Sequence, residues 1–255
     1  MTQTIKTDAL VIHSQRWSET SKIVELFTPN MGYLKVLAKG ALRPKSEFRG
    51  VLENLNRIEA LISLRETRGL QIITEVYLID AYSNIREDLN STAIAFSILE
   101  LIRAYVRYNE NARILYDFTV ESFYALNQKT QPEPMIFLLK FMLFLSEYLG
   151  FGWDFNTCHV CEKPPQSFPL RVDPVNGAIV CSGCTSRNNP QRFLLDRNEW
   201  QFLTQLTAAS PQDVPKFLTT DLSDVRFRLL LDMLLMHLNY HTEQRVQLKS
   251  LKMYL

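Results

Sequence analysis

The chain has 255 residues, of which 46% are hydrophobic and 22% are charged. This balance is typical of a globular protein and argues against a disordered, collagen-like or membrane protein. The 28 basic residues nearly match the 27 acidic ones, which gives a formal charge of +1. That charge excludes a globally basic nucleic-acid-binding protein but leaves room for a local basic patch.

The first 80 residues have the pattern of a small β-barrel. Short runs rich in aliphatic and aromatic residues lie at 4–14, 22–28, 33–38, 51–64 and 70–78. Turn-forming residues separate several of these runs, and this alternation of strand and turn signals predicts five strands. An OB-type barrel has this strand count, although an SH3-like barrel would give the same pattern. We predict an OB-type barrel over residues 1–80.

Beyond about residue 84 the apolar residues recur at helical spacing. The first helix contains Ile94, Ile98 and Leu101 on one face, with Ser91 or Thr92 as its expected N-cap. Further helices are predicted at 114–126, 134–149, 196–206 and 223–240. Residues 81–255 are therefore predicted to form a helical domain, which makes the fold class α+β.

Membrane insertion is not expected from this sequence. The most apolar stretch, residues 135–149, is shorter than the roughly 20 residues of a spanning helix and contains Lys140 and Glu147. The N-terminus has no charged-then-apolar signal pattern. We expect a soluble, intracellular protein in which residues 135–149 form a buried core helix.

Residues 156–189 interrupt the helical pattern and contain all four cysteines. Cys158 and Cys161 form one C-x2-C pair, and Cys181 and Cys184 form a second. Between them an Asn-Gly pair at 176–177 separates two short apolar runs, which predicts a β-hairpin that brings the two pairs together. The segment is therefore predicted to be a four-cysteine ribbon inserted in the helical domain.

The cysteine spacing is typical of a structural zinc site, in which four thiolates complete a tetrahedron and leave no open position. Two disulfides would need an oxidising compartment, which the missing signal pattern disfavours. The ligand type also suits an iron–sulfur cluster. His159 lies between the first two cysteines but is not needed to complete the set. We predict one structural Zn²⁺ bound by Cys158, Cys161, Cys181 and Cys184.

Positive charge is concentrated in residues 33–50. This segment carries five basic residues and one acidic residue, whereas 23 basic and 26 acidic residues make up the remainder of the chain. Gly40 and Pro44 indicate a loop after the third strand, and aromatic residues lie close by in sequence at Trp17, Phe27, Tyr33 and Phe48. Cations along a strand, combined with aromatic platforms, are typical of a single-strand binder. The competing interpretation is a solvated loop beside a barrel whose aromatics are core.

These residues resemble the RecO family of bacterial recombination-mediator and DNA repair proteins. The resemblance lies in Leu10-Val11-Ile12, Glu19, Ile23-Val24-Glu25-Leu26-Phe27-Thr28, Gly32, Ala38-Lys39-Gly40, Arg43-Pro44-Lys45-Ser46 and Arg49-Gly50. Downstream, an apolar helix that ends in Leu149-Gly150 leads into the first cysteine pair, as in that family. The resemblance covers nearly the whole chain in order, although the last 60 residues contribute little.

The resemblance implies an OB barrel, a helical domain and an inserted zinc ribbon, in a cytoplasmic, nucleoid-associated protein of bacteria. It also implies binding of single- and double-stranded DNA, annealing of complementary strands, and cooperation with RecR to load RecA onto DNA coated with single-strand-binding protein (SSB), whose C-terminal tail some members contact. The DNA-binding positions that carry over are Lys35, Lys39, Arg43, Lys45 and Arg49. One departure is Leu42, where the family often has a basic residue, so the patch is weaker by one charge.

These features are compatible with three functions. The first is a DNA-binding recombination mediator, the second is a zinc-stabilised protein-interaction scaffold without DNA annealing, and the third is a zinc enzyme. An enzyme would need an open metal position, which four thiolates do not leave, and the chain lacks P-loop, H-E-x2-H and G-x-S-x-G motifs. His237 and His241 share a predicted helix face without an evident third ligand, so a surface or core role is expected for both rather than metal binding. The sequence thus favours a non-enzymatic DNA-repair mediator.

Overall fold

The computed structural model describes residues 3–65, 67–107, 111–129, 133–184, 193–217, 222–243 and 245–253. They belong to two compact units, one formed by residues 1–129 with 248–255 and the other by residues 130–247. The class is α+β, as predicted from the sequence. No helix within the described ranges is long and apolar enough to cross a bilayer.

The first unit is built around a closed five-stranded barrel in the order β1-β2-β3-β5-β4. Neighbouring strands are antiparallel except for a short parallel pairing of β3 with β5. Alternate residues of β3 and β4 are buried, because the side chains of a strand point to opposite faces and only one face meets the barrel interior. The strands are β1 (Gln3–Arg16), β2 (Lys22–Thr28), β3 (Gly32–Ala38), β4 (Arg57–Leu64) and β5 (Gln71–Asp80).

The predicted fourth strand began too early. Residues 51–56 form turns, and the strand starts at Arg57. The apolar character of this stretch comes from Leu52 and Leu55, which are fully buried although they lie in a loop. Leu55 has a left-handed φ of 76°, which a strand cannot accommodate. Apolar residues that are buried in a loop therefore gave this stretch the sequence pattern of a strand.

Three helices and a C-terminal turn complete the first unit. They are α1 (Ser83–Glu87), α2 (Leu89–Tyr105), α3 (Arg113–Leu126) and the 3-10 turn Ser250–Met253. The N-cap of α2 is Asp88, whose carboxylate accepts a hydrogen bond from the backbone N–H of Ser91 at 2.7 Å. The predicted N-cap, Ser91 or Thr92, is therefore wrong. Asp88 takes this role because α1 ends at Glu87 and Asp88 has the extended backbone conformation of an N-cap residue.

The second unit combines three helices with a small sheet. The helices are α4 (Met135–Tyr148), α5 (Arg197–Ala208) and α6 (Asp224–Thr242), and α4 packs against the other two. Most of α4 is buried, as predicted for residues 134–149. The helix ends at a Schellman-type cap in which Gly150 has φ +88° and the N–H of Phe151 donates to the carbonyl of Ser146.

The predicted hairpin is confirmed inside the second unit. Strands β7 (Leu170–Asp173) and β8 (Ala178–Val180) are antiparallel, and Gly177 at the end of their turn has φ +60°. The Asp173 carboxylate accepts hydrogen bonds from two backbone N–H groups of the turn. The sheet is completed by β6 (Asp154–Cys158) beside β8 and β9 (Leu194–Leu195) beside β7. The proposed domain boundary near residue 80 stays a prediction, and part of the predicted ribbon, 185–189, lies outside the described residues.

Candidate nucleic-acid interface and metal centre

Residues 39–56 form a long loop between β3 and β4, called here the β3–β4 loop. It starts with a turn in which Gly40 has φ +74° and accepts a hydrogen bond from the N–H of Arg43 at 3.0 Å. Its far end is held by Asn56, which is 2% exposed and donates from its amide to the carbonyls of Gly50 and Val51 at 3.0 and 2.9 Å. The loop is thus fixed at both ends, which holds its cations in place without burying them.

Four cations of the β3–β4 loop, called the basic loop surface, are all exposed: Lys39, Arg43, Lys45 and Arg49. A concavity of about 340 Å³ lies beside three of them and is lined by Lys39, Gly40, Arg43, Lys45, Ser46, Glu47 and Phe48. Three cations and one carboxylate face this space, so it attracts anions. An open, cationic concavity of this kind suits phosphate oxygens, which arginine and lysine both bind.

Lys35, the fifth predicted DNA-binding residue, lies on β3 rather than on the loop. Its Nζ is 3.8 Å from Oε1 of Glu25, which is 2% exposed and lies opposite Lys35 on β2. Arg103 of α2 also pairs with this carboxylate, with Nε 2.6 Å from Oε2. Two cations therefore share one buried carboxylate, and Lys35 is electrostatically less available than the four cations of the loop.

The nearby aromatic residues divide into core and surface. Phe27 is fully buried, and the half-buried Phe48 packs against the barrel core. Tyr33 is half-buried, and burial together with the neighbouring Glu25 carboxylate raises its pKa to about 12. Trp17 differs from all of these because it is 63% exposed.

The four cysteines converge in the second unit. Cys158, Cys161, Cys181 and Cys184 have their Sγ atoms within 4.8 Å of one another, and none is in a disulfide. Tetrahedral coordination with Zn–S bonds of about 2.3 Å requires sulfur atoms about 3.8 Å apart, so small side-chain movements would complete the site. These four thiols could hold a metal ion, as predicted from their spacing.

Local backbone structure positions the thiols. The first pair starts at Cys158, the last residue of β6, and continues into a turn in which the N–H of Glu162 donates to the carbonyl of Cys158 at 2.8 Å. The second pair follows β8, and the N–H of Cys181 donates to the Sγ of Cys158 at 3.3 Å. Because β6 lies beside β8, the two turns come together at one end of the small sheet.

The chemistry of these thiols fits a metal ligand set. Burial opposes ionisation of Cys158, but backbone N–H groups from Cys161, Cys181 and Val160 hold the pKa of this thiol at about 6. Interaction with Cys161 is the main cause that raises the pKa of the Cys184 thiol, to about 12. Cys158 therefore ionises readily, and the other three thiols lie around it. A divalent cation that binds there would displace the remaining thiol protons and leave four thiolate ligands.

The histidines have structural contacts. His237 is 1% exposed, and its two ring nitrogens lie 2.6 and 2.7 Å from the carbonyl oxygens of Pro174 and Phe151. His241 lies 2.8 Å from the carbonyl oxygen of Val175 through Nε2. His159 is exposed, and the metal-ligand cluster found among the described residues consists of the four cysteines. The histidine pair therefore fastens α6 to the hairpin turn.

The sequence gives little sign of two polar contacts that lie beside the predicted DNA-binding residues. Arg103 and Glu25 are 78 positions apart, and Arg86 donates to the Oδ1 of Asn56 at 2.8 Å from 30 positions away. No periodicity or motif links residues at such separations. The one available signal was the placement of a glutamate, Glu25, within an otherwise apolar strand.

Comparison with known proteins gives a consistent result over nearly the whole chain. The family model described as "Recombination protein O N terminal" matches residues 1–82, and "Recombination protein O C terminal" matches residues 86–252. A DNA repair protein RecO of Caldanaerobacter subterraneus subsp. tengcongensis is 32% identical over 205 residues, which are 80% of this chain and 81% of the relative. A Thermoanaerobacter sp. relative of that name is 32% identical over 72% of both chains. The Bacillus subtilis protein of that name is 26% identical over 72% of this chain and 69% of its own.

Proposed function

The chain belongs to the RecO family of DNA repair proteins, and from this premise we propose that it binds DNA and anneals complementary strands. In this proposal it is a recombination mediator of the cytoplasm and not an enzyme. The DNA-binding residues are Lys39, Arg43, Lys45 and Arg49, and Lys35 makes a smaller contribution because it pairs with Glu25.

The observation that supports this function is the basic loop surface. Four exposed cations on a loop fixed at both ends provide a dense positive field on a chain whose formal charge is only +1. Pairing of two DNA strands is opposed by repulsion between their phosphates. Cations that neutralise phosphates of both strands lower this repulsion and raise the local concentration of one strand near the other. No covalent step is needed, so no residue is assigned a catalytic role.

The family relationship also supports three protein partners. In this proposal the chain acts with RecR, contacts the C-terminal tail of SSB, and indirectly promotes loading of RecA onto SSB-coated single strands. We assign no residues to these contacts.

We further propose that Cys158, Cys161, Cys181 and Cys184 bind one Zn²⁺. With four thiolates the ion has no open position, so it would stabilise the ribbon and would not activate water. Metal analysis of the purified protein should give one zinc per chain, and Cys158→Ser should abolish it. Iron with a visible absorption band would instead identify an iron–sulfur cluster.

The function is tested by annealing two complementary, fluorescently labelled oligonucleotides without ATP, over a series of salt concentrations. Wild-type protein should accelerate annealing, and the effect should fade as salt rises. The variant Lys39→Glu/Arg43→Glu should lose the acceleration. A matched control, Lys129→Glu/Arg228→Glu, makes the same charge change at exposed positions outside the loop and should retain it.

Each other outcome argues against part of the proposal. If wild-type protein fails to accelerate annealing at low salt, the annealing function is refuted and the protein-scaffold interpretation becomes the better one. If the control variant loses as much activity as the loop variant, total charge rather than the basic loop surface is responsible.

A further inference from the structure

Trp17 is exposed although it is a large aromatic side chain. Of the three tryptophans, Trp153 is 8% exposed and Trp200 is half-buried, with its Nε1–H donating to the carbonyl of Phe155 at 2.7 Å. Trp17 is 63% exposed on the turn between β1 and β2. Tryptophan is usually largely buried, since its ring dominates core and interface energetics. Its position in solvent therefore points to a binding role.

The turn that carries Trp17 is ordered by backbone hydrogen bonds. The N–H of Trp17 donates to the carbonyl of Ser21 at 2.9 Å, and the N–H of Ser18 donates to the same oxygen at 3.3 Å. The Nε of Arg16 donates to the carbonyl of Ser18 at 3.2 Å. The indole therefore projects from a closed turn, which reduces the entropy lost when a ligand packs against it.

This turn is joined directly to the β3–β4 loop. The N–H of Leu42 donates to the carbonyl of Thr20 at 2.9 Å. Backbone-bonded residues lie about 5.5 Å apart between Cα atoms, and chain neighbours lie about 3.8 Å apart. The Cα atoms of Trp17 and Leu42 are therefore at most about 15 Å apart, and Leu42 immediately precedes Arg43 of the basic loop surface. One bound strand of the usual OB-fold site size, at least about 4 nucleotides, can reach both.

Building on the proposed DNA-binding function, we propose that Trp17 stacks on an unpaired base while the basic loop surface binds the phosphates of the same strand. Unpaired bases expose their π-faces, whereas the bases of a duplex cover theirs by stacking on one another. The cations contact phosphates in either form of DNA. Trp17 therefore adds affinity for single strands alone, and it determines the strand preference of this surface.

The expected size of the effect follows from base–aromatic stacking. Loss of one stacked base weakens binding by a factor of about 5 to 150. Trp17→Ala should weaken binding to a single-stranded oligonucleotide within that range and should change binding to a duplex of equal length less than about twofold. Trp17→Phe keeps a smaller aromatic ring and should lie between wild type and Trp17→Ala.

The experiment measures fluorescence anisotropy of labelled single-stranded and duplex oligonucleotides with wild type, Trp17→Ala and Trp17→Phe. Tyr124→Ala removes another exposed aromatic, on α3, and serves as the matched control. Thermal unfolding of each variant verifies the fold. With unlabelled oligonucleotide, the intrinsic tryptophan fluorescence of wild type should be quenched by single strands, and Trp17→Phe should lose this quenching.

The outcomes separate the two proposals. Equal losses for single strands and duplex, or no loss with Trp17→Ala, would overturn the stacking role while leaving the DNA-binding function intact. No binding of either DNA by wild type at low salt would refute the proposed function itself. If Trp17→Ala spares DNA binding but abolishes binding to purified RecR or SSB, Trp17 is a protein contact and the stacking proposal is wrong.

Discussion

The five proposed DNA-binding cations are expected to contribute unequally, which can be measured from the salt dependence of binding. Lys35 shares the buried Glu25 carboxylate with Arg103, whereas Arg43 is exposed on the basic loop surface. If Lys35 moved to a phosphate, the charge of Glu25 would be less well compensated, and an uncompensated buried charge is costly. The perturbations are the single neutralisations Arg43→Gln and Lys35→Gln.

The expected size of the change in salt dependence follows from counterion release. Each neutralised phosphate of a single strand contributes about −0.7 to the slope of log Kobs against log salt, so the four cations of the basic loop surface give a slope of about −2.8. Between 50 and 200 mM salt this corresponds to a loss of affinity of about 50-fold. Arg43→Gln should reduce the slope to about −2.1 and the loss to about 20-fold. Lys35→Gln should change the slope by less than about 0.3.

The assay is fluorescence anisotropy of a labelled oligothymidine titrated with each variant at four or more salt concentrations. Lys129→Gln supplies the matched control, because it removes an exposed cation three residues after the end of α3. Equal slope changes for Lys35→Gln and Arg43→Gln would refute the argument that the ion pair with Glu25 keeps Lys35 from binding a phosphate. A change with Lys129→Gln as large as that with Arg43→Gln would show that binding is not confined to the loop.

Further predictions concern stability. Removal of the bound metal with a chelator should lower the unfolding temperature, because structural zinc binds with about 10 kcal/mol or more. The unfolding temperature of Cys184→Ser should not respond to the chelator. A melting curve of the wild type that the chelator leaves unchanged would contradict a structural metal. Burial lowers the pKa of Lys140 from 10.5 to about 8. Between these two pH values the unfolded chain therefore binds more protons than the folded chain, and the free energy of unfolding should rise with pH by on the order of 3 kcal/mol. Lys140→Met should lack this rise in urea unfolding at pH 7 to 10, and parallel curves would show that the amine is not desolvated. Arg103→Ala leaves the buried Glu25 carboxylate with a weaker charge partner and should lower the free energy of unfolding, measured with urea, by about 3 kcal/mol. Adding Glu25→Gln to this variant should restore part of that loss. An unchanged free energy of unfolding would mean that Lys35 alone compensates the carboxylate.

Sequence patterns were sufficient where structure depends on neighbours along the chain. The boundaries of β2, Lys22–Thr28, agree with the predicted strand, and the hairpin at Gly177 and the helix end at Gly150 lie where the sequence placed them. The cysteine spacing likewise predicted the four-thiol cluster. Each of these features rests on hydrophobic periodicity or on the conformational needs of a turn, and both act over a few residues.

Patterns failed where a residue's surroundings come from distant parts of the chain. The run at 51–64 looked like one strand, because Leu52 and Leu55 are as apolar as strand residues and their burial is achieved by a loop. Composition equally could not tell the exposed Trp17 from the buried Phe27. Exposure depends on which elements cover a side chain, and that is settled only when the barrel closes.

The sequence by itself determined the α+β class, the barrel, the four-cysteine ribbon and the presence of a basic segment, because hydrophobic period, turn chemistry, ligand spacing and charge are local properties. Only the tertiary structure separated Lys35 from the other cations, through a carboxylate on β2 and an arginine on α2. It alone joined the turn of Trp17 to the β3–β4 loop through a hydrogen bond between Thr20 and Leu42. Such contacts join residues far apart in sequence, so they exist only once the chain has folded.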